Sequence, residues 1–71
     1  LPIEFMMNAL RLNQGFSAQL FEQRTGLDFS IVHNSITQLQ AQGLMEERGK
    51  YYKTTKKGRL FLNDVIAHFS E

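Results

Sequence analysis

The chain has 71 residues, no cysteine and a net charge of +1 at neutral pH. That length makes one domain with a small core, and the missing cysteine excludes a disulfide scaffold, a thiolate metal site and a cysteine nucleophile. No run of about 18 apolar residues is present, which excludes a membrane-spanning helix, and the near-balanced charge alone points to no polyanionic partner.

Leu1-Pro2-Ile3 lacks both Met and the basic start of a signal peptide, so the chain is expected to be a piece of something longer. The first helix is predicted over residues 3–12. Ile3, Met6, Met7 and Leu10 recur at helical spacing, and Phe5 and Leu12 widen the stripe. Met6 and Met7 are read as core fillers. Pro2 suits the first turn. Glu4 lies near the positive end of the dipole and Arg11 near the negative end. Asn13-Gln14-Gly15 ends the helix.

Ser17 is the expected N-cap of a second helix, with Phe16 and Phe21 as a hydrophobic staple. Leu20 and Phe21 should face inward, and Glu22, Gln23 and Arg24 should face water. Gly26 closes the helix in the left-handed conformation. The third helix is expected to start at Asp28 as cap, with Leu27 and Val32 as a second staple. Val32, Ile36 and Leu39 form its buried stripe. His33, Asn34, Thr37, Gln38 and Gln40 are left outside, and Gly43 terminates it.

Residues 44–54 read as a hairpin. Strands at 44–47 and 51–54 flank Arg48-Gly49-Lys50, where Gly49 supplies the positive φ of a tight turn. Tyr51 and Tyr52 alternate sides, one in the core and one outside. Thr54 or Thr55 should cap a closing helix carrying Leu60, Phe61, Val65, Ile66 and Phe69 inward, with Leu62 broadening that face. The chain is therefore expected to be mainly α with a small β-hairpin, in a winged helix-turn-helix-like arrangement.

Few residues suggest chemistry. His33 and His68 lie on different helices without metal-ligand spacing, and both read as ordinary surface histidines. The carboxylates Glu4, Glu22, Asp28, Glu46, Glu47, Asp64 and Glu71 are scattered, and the five glycines stand singly at element breaks. No catalytic, cofactor or metal residue is expected within these 71 residues. Six of the eight basic residues, Arg48, Lys50, Lys53, Lys56, Lys57 and Arg59, fall in one stretch without an acid. They make a candidate basic surface. DNA binding is an alternative, since Asn34 and Gln38 can read adenine. The third helix carries no Lys or Arg, however, so phosphate contacts would have to come from the basic stretch.

Three segments carry a resemblance. Pro2-x-Glu4-Phe5-x-x-Asn8-x-x-Arg11-Leu12, then Arg24-Thr25-Gly26-Leu27, and then Gln42-Gly43-Leu44 with Tyr52-x-x-Thr55-x-x-Gly58-x-x-Phe61-Leu62-Asn63. Together they resemble the C-terminal domain of oxygen-independent coproporphyrinogen III oxidase-like proteins, most closely the heme chaperone branch. The likeness covers essentially the whole chain. It implies that residues 1–71 are one C-terminal accessory domain of a cytoplasmic radical S-adenosylmethionine protein. The parent would hold a 4Fe–4S cluster and S-adenosylmethionine on an N-terminal barrel. That barrel would be this domain's main partner, with heme or porphyrin and heme acceptor proteins as further partners. The oxidase branch acts as a coproporphyrinogen III dehydrogenase in heme biosynthesis, and the chaperone branch carries heme. Glu4, Asn8 and Arg11 share one face of the first helix, and within the resemblance they are the residues expected to contact the barrel.

Overall fold

The computed structural model describes residues 2–70. Leu1, of the opening Leu1-Pro2-Ile3, and Glu71, last of the carboxylates, lie outside the described residues. The elements run α1 Pro2–Ala9, β1 Phe16–Ser17, α2 Ala18–Thr25, α3 Ser30–Ala41, β2 Met45–Arg48, β3 Tyr51–Thr54, α4 Lys56–Leu60 and α5 Leu62–Ala67. The fold is mainly helical with a three-stranded antiparallel sheet in the order β1-β3-β2.

Local signals set most boundaries. The Ser17 hydroxyl accepts the Leu20 N–H at 3.0 Å, as an N-cap should. Gly26 ends α2 at φ +73°. At the end of α3, the Leu44 N–H donates to Leu39 O at 2.9 Å and the Gly43 N–H to Gln40 O at 3.0 Å. These two bonds, with Gly43 at φ +78°, make a Schellman motif. Arg48 pairs with Tyr51, so the hairpin loop is Gly49-Lys50 alone. Gly49 has φ +59° and Lys50 is not left-handed, the pattern of a type II′ turn.

Several expectations need correction. Helix α1 stops at Ala9 rather than Leu12, because Arg11 and Leu12 bond to carbonyls three residues back and the chain tightens before Gly15. Leu12, past the helix end, is exposed, and so is Met7, which faces away from the core that its neighbour Met6 enters. The hairpin gains a third strand: Phe16 pairs with Tyr52 and Ser17 with Tyr51. Helix α3 begins at Ser30, one step beyond a cap at Asp28, although the Asp28 carboxylate does accept the Ser30 N–H at 2.9 Å. Glu22 is exposed, yet its carboxylate accepts the Phe29 N–H at 2.8 Å and so ties α2 to the start of α3. The single closing helix is two helices, broken at Phe61 with φ −118° and ψ 39°. Leu60 and Phe61 point to solvent there, and the inward face of this segment is Val65, Ile66 and Phe69.

The core draws on every layer. Met6, Leu10, Phe16, Phe21, Ile36, Leu39 and Val65 are the most deeply buried apolar side chains. Five rings form a closed circuit. Phe5 meets Phe16 and Phe21 edge-on at 5.3 Å each. Phe21 meets Phe29 at 5.9 Å, Phe29 meets Tyr52 at 5.2 Å, and Tyr52 returns to Phe16 at 6.0 Å. The circuit joins α1, β1, α2, β3 and the start of α3. Each such pair adds about 0.5–1.5 kcal/mol beyond area burial. Tyr52 is thus the inner tyrosine and Tyr51 the outer one, as alternation requires.

Candidate functional site

Helix α1 presents Glu4 and Asn8 on one face, one turn apart, and both are exposed. Arg11 lies beyond the helix end. Its Nε donates to Met7 O at 2.9 Å, so the guanidinium serves first as a cap on the helix's unsatisfied carbonyls. Of the three expected interdomain residues, Asn8 is the one that lines a groove. Phe5, Asn8, Ala9, Leu12, Leu20 and Arg24 enclose about 360 Å³ between α1 and α2. The groove is mainly apolar, with Asn8 and Arg24 as its polar lining, and Leu12 on its wall is 54% exposed. Such a surface suits a protein contact better than a small polar substrate.

The basic residues are spread over two elements. On β2 and β3, Glu46 pairs with Lys53 and Arg48 with Tyr51, so these four side chains share the outer face of the sheet. Arg48 lies 4.0 Å from Glu46, an exposed contact of little energetic weight. Lys50 tips the hairpin. Lys56, Lys57 and Arg59 stand on α4, where Lys57 Nζ reaches Gln42 O at 3.5 Å, at the end of α3. The exposed face of α3 offers His33, Asn34, Thr37 and Gln38 without a cation.

The two parts of the third segment of the resemblance meet at one junction. The Thr55 hydroxyl accepts the Gly58 N–H at 3.0 Å and donates to Gly43 O at 2.6 Å, while the Thr55 N–H donates to Leu44 O at 3.1 Å. Gly58 lies so close to Leu44 that a Cβ would overlap the Leu44 carbonyl oxygen. Gln42-Gly43-Leu44 and Thr55-x-x-Gly58 are therefore two halves of one α3–α4 clamp. Their chemistry is structural.

Two titrations are shifted. Hydrogen bonds from Ser30, the backbone N–H ahead of the hydroxyl, hold Asp28 below the usual carboxylate range. Burial, and then the charge of Glu47, push the Tyr52 phenol up. Asp28 lines an open depression with Glu22, Gly26 and Leu27, and Tyr52 belongs to the aromatic circuit. His33 is exposed and meets Phe29 at 5.9 Å. His68 is half-buried, and its backbone carbonyl accepts the Ser35 hydroxyl at 3.3 Å. Neither histidine lines the α1–α2 groove. Among the described residues, no three His, Asp or Glu side chains gather as a metal site needs. None of the described helices is long and apolar enough to cross a membrane.

A family model described as the HemN C-terminal domain matches residues 1–61. The chain belongs to the HemN C-terminal domain family. Its curated relatives include proteins named heme chaperone HemW. That of Haemophilus influenzae is 38% identical over 96% of this chain and 18% of its own length. The Escherichia coli protein is 34% identical, and the one from Buchnera aphidicola of Schizaphis graminum 31%, with the same coverage. This HemN C-terminal domain thus spans about 18% of the length of the curated relatives it matches. No solved structure matches it.

The third strand, the Glu22 bridge and the exposed Leu60-Phe61 pair are not among the expectations from sequence. A signal for the last was present. Leu60, Phe61 and Leu62 are consecutive, and three adjacent residues on a helix cannot all face one core.

Proposed function

We propose that this chain is the non-catalytic C-terminal domain of a radical S-adenosylmethionine protein of the heme chaperone type, with a winged helix-turn-helix-like arrangement. The β2–β3 hairpin is its wing. The domain packs on an N-terminal barrel and helps shape the heme or porphyrin face there. The match to the HemN C-terminal domain, with relatives named heme chaperones among its neighbours in sequence, is the observation that carries this reading. The groove beside Asn8 supports a docking role for that residue on the barrel, and the proposal extends the contact to Glu4 on the same helix face and to Arg11 beyond the helix end.

The residues present do not fit a cluster site. The chain has no cysteine, so every thiolate would come from elsewhere in the protein. Heme contact is assigned to neither His33, which is exposed, nor His68, which is half-buried. Base readout of DNA has weaker support, because the outer face of α3 carries no cation.

The test uses the whole protein that carries this domain, reconstituted anaerobically, with and without these residues. Heme binding is followed by the Soret band, and heme transfer by recovery of an apo-acceptor. The expected result is heme binding and transfer by the intact protein, with transfer reduced when the domain is removed. Decarboxylation of coproporphyrinogen III by the intact protein would place it on the dehydrogenase branch instead. Unchanged transfer after removal would refute the accessory role.

A further inference from the structure

The α4–α5 break holds residues that the fold itself does not use. In the closing segment of the resemblance, Tyr52 enters the aromatic circuit, Thr55 and Gly58 form the α3–α4 clamp, and Leu62 packs against the core. Leu60, Phe61 and Asn63 have no such task. Leu60 is 77% exposed and Phe61 48%. One exposed leucine is unremarkable in any protein, but here two large apolar side chains stand together on a backbone break. The Phe61 N–H bonds to Gly58 O at 3.2 Å and Phe61 O receives the Val65 N–H at 3.0 Å, so the break is anchored on both sides. With Arg59, Leu62, Asn63 and Asp64, the pair lines a depression of about 360 Å³.

The geometry points to the Leu60-Phe61 knuckle as a docking surface for the N-terminal part of the same polypeptide, an inference that rests on the accessory-domain reading above. The chain spans 18% of the length of relatives such as the Haemophilus influenzae protein, so a protein of that kind has a large body outside this domain. Helix α1, which such a body precedes, packs against α5, the helix that the knuckle opens. Lys56 and Arg59 stand on the α4 side of the knuckle and Asp64 on the α5 side, so the receiving surface is an apolar socket with a rim of both charges. Covering Leu60 and Phe61 removes the largest apolar exposure of the closing segment from water.

The experiment is site-specific photo-cross-linking in the full-length protein. A benzophenone amino acid replaces Leu60 in one variant, Asn8 in a second and Gln23 in a third, all exposed positions. The expected product from position 60 runs as a monomer and joins this domain to a peptide upstream of residue 1, at a yield severalfold above that from position 23. Links confined to the domain, or a product of doubled mass, would overturn the proposal, the latter in favour of a second copy. A link to the upstream body from position 8 but not from position 60 would leave the accessory-domain reading standing and remove the knuckle from it. No link from either position would remove both.

Discussion

At the scale of single residues, two glycines decide whether the elements can close on one another. Gly15 adopts φ +77°, and a Cβ there would run into the Tyr52 carbonyl. Gly58 has ordinary helical geometry, but its Cβ would strike the Leu44 carbonyl. Neither obstruction is the flexible end of a side chain, so the backbone itself would have to move. Gly15→Ala and Gly58→Ala should each cost about 3 kcal/mol or more. Gly49, at φ +59° with open space around it, supplies the contrast. Gly49→Ala should cost only about 1 kcal/mol, from backbone strain alone. Urea unfolding of the three variants separates the two mechanisms, and equal losses would contradict the close-approach argument. Tyr52 gives a pH prediction at the same scale. Its phenol is raised by burial and by Glu47, so the folded state holds the proton more tightly than the unfolded chain. That contribution is complete below the ordinary phenol range and fades as pH rises through the shifted value. Alkaline titration of stability should show a decline that Tyr52→Phe lacks.

At the scale of elements, the α3–α4 clamp depends on one hydroxyl. Thr55 caps α4 through the Gly58 N–H and closes on α3 through Gly43 O. Thr55→Val keeps the shape and removes both bonds, so it should cost about 1–2 kcal/mol, while Thr55→Ser should recover most of it. A Thr55→Val protein as stable as the parent in thermal melts would show the clamp to be idle. Much of this layer could be read from residue order. Ser17, Gly26, Gly43 and Gly49 act within a few residues of themselves, so their caps and turns were legible. The buried stripe Val32, Ile36 and Leu39 was legible because its period is helical. What was not legible depends on partners distant in sequence. Phe16 and Ser17 become a strand only because Tyr51 and Tyr52 arrive beside them. The break at Phe61 comes where α4 is clamped to α3 and Val65 and Ile66 must reach the core, a competition that no local propensity records. The polar row on α1 was half legible. Glu4 and Asn8 keep the helical spacing, but Arg11 is drawn to the Met7 carbonyl past the helix end.

At the scale of the whole molecule, the placement of charge matters more than its sum. The net charge of +1 hides a basic stretch between Arg48 and Arg59. The fold divides that stretch between the sheet's outer face, the hairpin tip and α4. On the sheet, Glu46 stands among Arg48 and Lys53. On α4, Lys57 leans toward the α3 C-terminus. A helix-turn-helix that reads DNA brings cations to phosphates on both sides of its recognition helix, whereas α3 here presents neutral side chains. Duplex binding should therefore be non-specific, with a dissociation constant no tighter than about 10⁻⁴–10⁻⁶ M at physiological salt. Its salt dependence should arise from Lys50, Lys56, Lys57 and Arg59. Replacing Lys50 and Lys56 with Gln should lower the slope of log K against log salt by up to about 2, without changing sequence preference. Fluorescence anisotropy across a salt series measures both quantities. A nanomolar site, or a preference abolished by Asn34→Ala or Gln38→Ala, would show that α3 reads bases after all. The domain would then act on DNA rather than as a partner of the rest of its own polypeptide.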